Sequence, residues 1–297
     1  MSEPTDLVVG VLGAGLMGSG IAQAAAVAGY QTVVRDTDDA AIGRGKANIT
    51  KSLAKLVEKG KLAAAHQAAT LDRLHFTTEL SALAPAGLII EAITEDLALK
   101  TALFRELEPR IGATTIFASN TSSLTIAALA AATERADRVI GLHFFNPVPL
   151  MPLVEVVRSV QTSPDTVMRA TAFVRRLGKE PVAARDSSGF IVNLLLVPYI
   201  FDAIRALEHG VASITDLDLA MRLGAGHPMG PLTLADFVGL DTLAKIGDIM
   251  FEEYHETRYA APPLLRRMVL AGLAGRKSGQ GFYDYTVDPP VSSALGL

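Results

Sequence analysis

The stretch LVVGVLGAGLMG at residues 7–18 is an apolar run that ends in the pattern G-x-G-x-x-G. Helix-forming residues follow this pattern as far as Gly29, and a second β-branched run then ends in the acidic Asp36. A strand, a glycine-rich turn, a helix and a second strand that ends in an acid are the parts of a dinucleotide-binding βαβ unit. The stretch therefore predicts a βαβ unit with a ligand site at its first turn.

Each glycine of this turn has a physical task. Gly13 allows the tight turn, Gly15 lets a pyrophosphate approach the backbone, and Gly18 lets the helix pack against the strand. The phosphates would lie at the helix N-terminus, beside Leu16 and Met17, because unpaired N–H groups and the helix dipole attract negative charge there. These five residues form the predicted phosphate site.

The acid at the end of the second strand bears on the choice of cofactor. Asp36 is expected to accept hydrogen bonds from a ribose 2′-hydroxyl and to repel a 2′-phosphate, which favours NAD over NADP. Arg35 beside it weakens that preference, and flavin cofactors use the same kind of turn. An ordinary βα turn without a ligand is the remaining alternative. NAD is the predicted cofactor.

The rest of the first 185 residues alternates between β-branched runs and helix-compatible segments. This alternation predicts a Rossmann-like, doubly wound and mostly parallel sheet with helices on both faces. Residues 146–152 are too short a link for a helical crossover, so the strands on either side of it are expected to be antiparallel. The predicted strands are residues 7–12, 32–36, 74–77, 88–93, 115–118, 138–144 and 153–157.

The remaining residues, 186–297, predict an all-helical second domain. Glycine and proline pairs separate its helical segments, and Pro198 is expected to kink the first of them. The predicted helices are residues 190–207, 216–223, 233–254 and 263–271.

Composition excludes several classes of protein. The chain has 297 residues, 49% of them hydrophobic and 20% charged, which are globular proportions and exclude disorder as the main state. A net charge of −4 argues against nucleic acid as a partner. Because the chain has no cysteine, disulfides, thiolate nucleophiles and cysteine-ligated metals are excluded.

The spacing of the histidines and the composition of two uncharged stretches argue against a metal site and against a membrane segment. The histidines lack the spacing of zinc ligands, so no metal site is expected. Residues 7–34 and 112–133 carry no charge, but glycines and polar residues interrupt both of them, so no membrane segment is expected. We expect a soluble cytoplasmic protein without a membrane partner.

Two residues on the predicted antiparallel strands could perform acid–base chemistry. His143 ends one strand, and Glu155 lies within the valine-rich strand that follows. A buried carboxylate is costly unless a charged or hydrogen-bonded group meets it, and the antiparallel pairing would bring the histidine to it. A histidine can accept a proton at neutral pH, and the carboxylate would fix its tautomer. A purely structural pair is the alternative.

A polar cluster, Ser119-Asn120-Thr121-Ser122-Ser123, follows another predicted strand. Ligands of open α/β sheets bind beyond the carboxyl ends of the strands, where this cluster and His143 are both expected. Its hydroxyl and amide groups could orient a substrate oxygen. Helix capping by Ser122 or Ser123 is the alternative.

Together these segments resemble the short-chain L-3-hydroxyacyl-CoA dehydrogenases, which include bacterial 3-hydroxybutyryl-CoA dehydrogenases. The resemblance covers nearly the whole chain and implies reversible, NAD-dependent oxidation of an L-3-hydroxyacyl-CoA to the 3-ketoacyl-CoA. The matching stretches are residues 13–22, 91–95, 119–124, 143–155, 186–193, 224–231 and 277–283.

The resemblance also implies roles for single residues. His143 would be the general base and Glu155 its partner, while Ser122 and Asn193 would hold the substrate oxygen. The helical domain would close over the site and form the interface of a homodimer. The residues implied around the nicotinamide end of the cofactor are Glu95, Lys100, Ser122, Asn146 and Lys277.

A basic helical face supports the acyl-CoA prediction independently of the resemblance. Lys51, Lys55 and Lys59 recur every four residues and therefore lie on one face of a helix. The face could be an ordinary solvated surface, or it could hold the phosphates of coenzyme A. The resemblance points to Ser52 and Lys59 as the coenzyme A ligands.

Two rival functions remain open from the sequence. One is a dehydrogenase of the same fold that acts on a free hydroxy acid or sugar acid. The other is a non-catalytic NAD-binding protein, although its expected mark, loss of the base or of its partner, is absent from the sequence.

Overall fold

Within residues 6–295, eight strands form one sheet. They are β1 (Val8–Leu12), β2 (Gln31–Arg35), β3 (Leu74–Thr77), β4 (Ala86–Glu91), β5 (Ile116–Ser119), β6 (Val139–Phe144), β7 (Leu153–Arg158) and β8 (Glu180–Arg185). Their order across the sheet is β3-β2-β1-β4-β5-β6-β7-β8, and β1 to β6 are parallel. Strand β7 runs antiparallel to β6, and β8 runs parallel to β7. The predicted mostly parallel sheet with antiparallel end strands is confirmed.

Helices between these strands cover the sheet. They are α1 (Leu16–Val27), α2 (Asp39–Glu58), α3 (Ala64–Asp72), α4 (Leu97–Leu107), α5 (Ile126–Ala130) and α6 (Pro164–Arg176). Side chains at the helix starts satisfy unpaired N–H groups: Asp38 accepts from Ala41 N, and Ser163 accepts from Thr166 N. Strand and helix residues such as Val11, Ile21 and Ile90 share one buried core.

Strand β8 is absent from the sequence prediction. It contains Pro181, begins with Glu180 and ends with Arg185, so it lacks the β-branched run by which the other strands were identified. It is the edge strand of the sheet, where a proline and charged side chains are tolerated. Pairing with β7, rather than local propensity, makes this segment a strand.

The rest of the chain is helical, as predicted. Its helices are α7 (Val192–Glu208), α8 (Ile214–Gly224), α9 (Pro231–Val238), α10 (Leu240–Tyr254) and α11 (Pro263–Leu270). They enclose a second core that includes Phe201, Leu232, Leu243 and Phe282. A short hairpin of β9 (Tyr283–Asp284) and β10 (Val291–Ser292) departs from the all-helical prediction.

One segment that was predicted to be a single helix forms two helices. The prediction of a single helix over residues 233–254 is wrong because the chain turns at Gly239 between α9 and α10. The backbone φ of Gly239 is +101°, a conformation that side chains other than glycine rarely adopt. Helix α7, in contrast, continues through Pro198.

This computed structural model describes residues 6–295, and the chain divides into two compact units, Met1–Ser187 and Ser188–Leu297. The predicted domain boundary, after residue 185, lies at the end of β8. Across residues 6–295, every helix is too short or too polar to cross a lipid bilayer.

Candidate active site

The glycine turn after β1 is built for close approach of backbone and ligand. Gly13 has a φ of +98°, and a Cβ placed on it would lie 2.7 Å from the carbonyl oxygen of Ala92. A Cβ on Gly18 would lie 1.8 Å from the carbonyl oxygen of Gly13, because α1 packs directly onto the turn. Around Gly15, leaving out its chain neighbours, no heavy atom of the described residues lies within 4 Å of such a Cβ. The space beside the turn is therefore open at Gly15, the residue predicted to face a pyrophosphate.

A groove of about 530 Å³ leads from this turn past the end of β2. Asp36 stands in it and accepts hydrogen bonds from the backbone N–H groups of Ala14 (2.6 Å) and Thr37 (2.7 Å). Arg35 also lines the groove, and its Nε donates to the carbonyl oxygen of Thr78 over 3.0 Å. Apolar groove residues such as Leu103 on α4 suit a purine ring. The turn and the groove together fit the adenosine and pyrophosphate of a dinucleotide.

A buried ionic cluster lies at the carboxyl ends of β4 and β5. The ammonium of Lys100 lies 2.7 Å from Oε1 of Glu91 and 3.1 Å from Oε2 of Glu95. The lysine side chain is 1% exposed and that of Glu91 is 0% exposed, whereas that of Glu95 is 20% exposed. The predicted residues Glu95 and Lys100 are therefore in contact, and Glu91 is a member of the cluster that the sequence prediction missed.

Glu95 also collects hydrogen bonds from the polar cluster after β5. Its Oε1 accepts from Thr121 Oγ1 at 2.6 Å, Ser122 N at 3.0 Å and Ser123 Oγ at 3.0 Å. Burial acts to raise the pKa of Glu95, but the Lys100 ammonium and the hydrogen bonds from Thr121 and Ser122 outweigh burial and hold the pKa below its ordinary value. The carboxylate thus fixes the backbone of the loop that carries Ser122.

His143 and Glu155 face each other across β6 and β7. They are register partners, and Nδ1 of His143 lies 2.6 Å from Oε2 of Glu155. Both side chains are buried, at 7% and 0% exposure. The predicted antiparallel pairing of these two residues is confirmed, and it places the carboxylate at Nδ1, with Nε2 as the opposite ring nitrogen.

The end of β6 adjoins the polar cluster. Oδ1 of Asn120 accepts a hydrogen bond from the backbone N–H of Phe144 over 2.9 Å, which ties the loop after β5 to the residue that follows His143. Asn146 is exposed and lies just beyond the end of β6. The carboxyl ends of β4, β5 and β6 thus carry the ionic cluster, the hydroxyl cluster and the histidine side by side.

The basic face of α2 forms a separate small cavity of about 180 Å³. Ser52 and Lys59 both line it, together with Lys55 and with residues of the loop that follows β6, such as Pro147 and Leu150. Lysine ammonium groups and a serine hydroxyl are donors suited to phosphate oxygens. The two residues predicted to hold coenzyme A therefore share one basic cavity, which the segment after the histidine helps to line.

The two remaining predicted residues belong to the helical unit. Asn193 lies in the first turn of α7 and is half-buried. The ammonium of Lys277 lies 2.7 Å from Oδ2 of Asp241, in the first turn of α10.

Sequence reasoning also missed a buried carboxylate in the helical unit. Asp236 on α9 accepts hydrogen bonds from the backbone N–H groups of Phe282 and Tyr283, each at 2.9 Å, and from the hydroxyl of Tyr285 at 3.1 Å. Burial raises the pKa of Asp236 to about 6, although the hydrogen bonds from Phe282 and Tyr283 oppose the shift. This residue fastens the segment that follows Lys277.

The sequence does contain a signal for Glu91 and Asp236, because each is an acidic residue next to or within an apolar segment. Glu91 directly follows the apolar residues 88–90, and Asp236 lies within a mostly apolar helix. As for metals, no cluster of three or more His, Asp or Glu side chains that could hold a metal ion occurs in residues 6–295.

Comparison with known proteins identifies the family. Residues 8–187 match the NAD-binding domain of 3-hydroxyacyl-CoA dehydrogenases, and residues 189–285 match the C-terminal domain of the same enzymes. The 3-hydroxybutyryl-CoA dehydrogenase of Mycobacterium tuberculosis is 50% identical over 279 residues, which are 93% of this chain and 98% of that protein. The mitochondrial hydroxyacyl-coenzyme A dehydrogenase of Sus scrofa is 46% identical over 93% of this chain and 90% of its own length.

A solved structure agrees with these sequence matches. The crystal structure of (S)-3-hydroxybutyryl-CoA dehydrogenase from Ralstonia eutropha superposes with a TM-score of 0.90 at 45% identity, covering 94% of this chain and 98% of that one. The matched regions include the NAD-binding domain, so NAD is the cofactor predicted by the glycine turn and supported by the family. The chain belongs to the 3-hydroxyacyl-CoA dehydrogenase family.

Proposed function

We propose that this protein catalyses the reversible, NAD-dependent oxidation of an L-3-hydroxyacyl-CoA, such as 3-hydroxybutyryl-CoA, to the 3-ketoacyl-CoA. The observation that carries the proposal is the buried pair of His143 and Glu155 at the carboxyl end of a sheet whose first turn fits a dinucleotide. The relatives named 3-hydroxybutyryl-CoA dehydrogenase, matched over most of the chain, support the same substrate class.

His143 acts as the general base in this proposal. Glu155 accepts the Nδ1–H hydrogen bond, which leaves Nε2 as the nitrogen that takes the proton from the C3 hydroxyl. Bound NAD supplies the acceptor for the hydride that leaves C3. As the C3–O bond becomes a carbonyl, the carboxylate of Glu155 stabilises the imidazolium that forms at His143.

The other proposed roles concern positioning. Ser122 and Asn193 hold the substrate oxygen, and Asp36 holds the adenosine ribose. The phosphates of the cofactor lie against Gly13, Gly15, Leu16, Met17 and Gly18. The residues proposed at the nicotinamide end are Glu95, Lys100, Ser122, Asn146 and Lys277, and those proposed for coenzyme A are Ser52 and Lys59.

The helical unit, predicted as residues 186–297, is proposed to bind substrate and to form a homodimer. Its helices expose large apolar side chains that a partner subunit would bury: Leu195 is 64% exposed, Leu223 75% and Leu270 87%. Light scattering coupled to size-exclusion chromatography tests the dimer, and a monomer at micromolar concentration would contradict it. A cytoplasmic location stays a prediction from the sequence, for which cell fractionation is the test.

Substrate choice decides between this proposal and its rivals. We expect the purified protein to oxidise NADH with acetoacetyl-CoA, and to reduce NAD with the L isomer of 3-hydroxybutyryl-CoA in preference to the D isomer. Oxidation with free acetoacetate alone would favour a dehydrogenase of free hydroxy acids. NADH binding without turnover of either substrate would favour a non-catalytic protein.

A further inference from the structure

The hydrogen bonds around Glu91 identify it as an ionised carboxylate. Its Oε1 accepts from Lys100 Nζ and from Ile93 N, both at 2.7 Å, and its Oε2 accepts from Ser119 Oγ at 2.6 Å. Ser119 Oγ in turn accepts from Thr121 N over 3.2 Å, so its own hydrogen points to the carboxylate. A carboxyl group whose oxygens receive only donors is the charged form.

The cluster therefore carries a net negative charge. Glu91 and Glu95 contribute two negative charges, and Lys100 between them contributes one positive charge. Glu91 and Lys100 are almost completely withdrawn from solvent, so water screens the excess charge only weakly. Glu95, at 20% exposure, is the member of the cluster that reaches the surface.

The order of the strands indicates which ligand group meets it. Asp36, at the end of β2, is the residue proposed to hold the adenosine ribose, and the groove in which it stands continues past the glycine turn to Ala92 and Thr94 after β4. The other half of the dinucleotide then extends across the turn to the β4 and β5 side, since open α/β sheets bind dinucleotides across the point where strand order reverses. Glu95 and Ser122 stand at the ends of these two strands.

We propose that Glu91 is a positioning residue which, through Lys100 and Glu95, makes the ionic cluster at the nicotinamide end of the site net negative and so favours oxidised NAD over NADH. The inference rests on the proposed function, because it assumes that the nicotinamide lies at this end. The oxidised nicotinamide ring carries a positive charge and the reduced ring is neutral, so only the oxidised form gains from the excess negative charge.

Glu91→Gln tests the proposal because it removes one negative charge, keeps the shape of the side chain and touches no ligand. The dissociation constants of NAD and NADH are measured separately, by calorimetry and by NADH fluorescence. The ratio of the NADH constant to the NAD constant is expected to fall on the order of tenfold, the effect of one charge about 10 Å away at an effective dielectric constant of about 20.

Three further variants separate the effect of charge from that of packing. Ser119→Ala removes a hydrogen bond to the same carboxylate without changing charge, and it is expected to leave the ratio as in the wild type. The double variant Glu91→Gln/Lys100→Gln restores the net charge of −1 although it disturbs the cluster more, and it is expected to bring the ratio back. Lys100→Gln alone makes the cluster more negative and is expected to move the ratio the other way, which keeps the test valid if Glu91→Gln does not fold.

Equal weakening of both dissociation constants in Glu91→Gln, or the same ratio change in Ser119→Ala, would overturn the proposal and leave Glu91 a purely structural residue. These results differ from failure of the proposed function. If the wild type binds neither form of the cofactor, or binds both without turning over acetoacetyl-CoA, the proposed function fails whatever the variants do.

Discussion

Nδ1 of His143 lies 2.6 Å from Oε2 of Glu155, and the two residues occupy directly opposite positions on antiparallel strands. Side chains at opposite positions of such a pair leave the sheet on the same face, so the geometry of the two backbones holds imidazole and carboxylate together. An ionised carboxylate only accepts hydrogen bonds, so Glu155 keeps the ring proton of His143 on Nδ1. Nε2 is then the ring nitrogen that accepts a proton. Two predictions follow for this pair.

Replacing His143 by alanine removes the proposed base. We expect kcat with 3-hydroxybutyryl-CoA to fall by about 10²- to 10⁴-fold, the usual contribution of a positioned acid–base group, while the dissociation constant of NAD stays unchanged. Steady-state kinetics and calorimetric NAD titration measure the two quantities. A variant that loses cofactor binding and rate in parallel would indicate a structural role for the histidine.

Glu155→Gln keeps the size of the side chain but removes its charge. The amide oxygen can still accept the Nδ1–H bond, so the tautomer is partly preserved, but a neutral amide does not stabilise the imidazolium. We expect kcat to fall by about 10²-fold, less than for His143→Ala. Glu155→Ala is the comparison, since it removes the acceptor as well, and a rate equal to that of Glu155→Gln would show that the acceptor contributes nothing.

Alanine substitutions at two glycines of the cofactor turn are expected to have different effects. Gly18→Ala forces a methyl group against the carbonyl oxygen of Gly13, so we expect it to destabilise the fold by about 1–3 kcal/mol or more. Gly15→Ala meets open space and a backbone φ of −65° that alanine accepts, so its thermal unfolding temperature is expected to match the wild type.

The same Gly15→Ala methyl group occupies the space proposed for the pyrophosphate, so NAD affinity is expected to fall while stability is kept. Thermal unfolding without ligand and NAD titration distinguish the two variants. Unchanged NAD affinity in Gly15→Ala would place the phosphates elsewhere.

Asp236 is expected to make stability depend on pH in a direction opposite to that of most acidic residues. Its pKa of about 6 in the folded protein exceeds the ordinary value of 3.8. Between these two values the folded protein binds more protons at this carboxyl than the unfolded chain does, so its contribution to the free energy of unfolding falls as pH rises. A shift of this size corresponds to roughly 3 kcal/mol.

Asp236→Asn removes this titration. Compared with the wild type, the variant is expected to gain stability progressively as pH rises from about 4 to about 6, whatever its stability at the lower pH. Urea unfolding of both proteins across this range measures the difference. A stability difference that stays constant with pH would contradict the assignment.

The sequence was sufficient for those parts of the molecule that rest on local patterns. The glycine turn, the parallel strands and the antiparallel pairing of His143 with Glu155 follow from residue spacing and link length, and the structure has each of them. Strand β8 was missed because its residues have little β propensity, and the break at Gly239 was missed because apolar periodicity continues on both sides of it.

The missed carboxylates have a different cause. Glu91 and Asp236 are surrounded by donors from distant parts of the chain, such as Ser119 for the first and Tyr283 for the second. No local pattern predicts which donors meet a buried acid. The argument applied to Glu155, that a carboxylate among apolar residues needs a partner, could have marked both positions without naming their partners.

The pairing of β6 with β7 also bears on how the molecule assembles. His143 and Glu155 are 12 positions apart in the chain, whereas the glycine turn closes against Ala92, which lies beyond three further strands. Loop-closure entropy grows with the length of chain that must be ordered. The two groups proposed for proton transfer are therefore brought together when a local hairpin forms. The glycine turn is completed only when strands that are distant in sequence have paired. Early in refolding, hydrogen exchange is expected to protect the amides of β6 and β7 before those of β1 and β4.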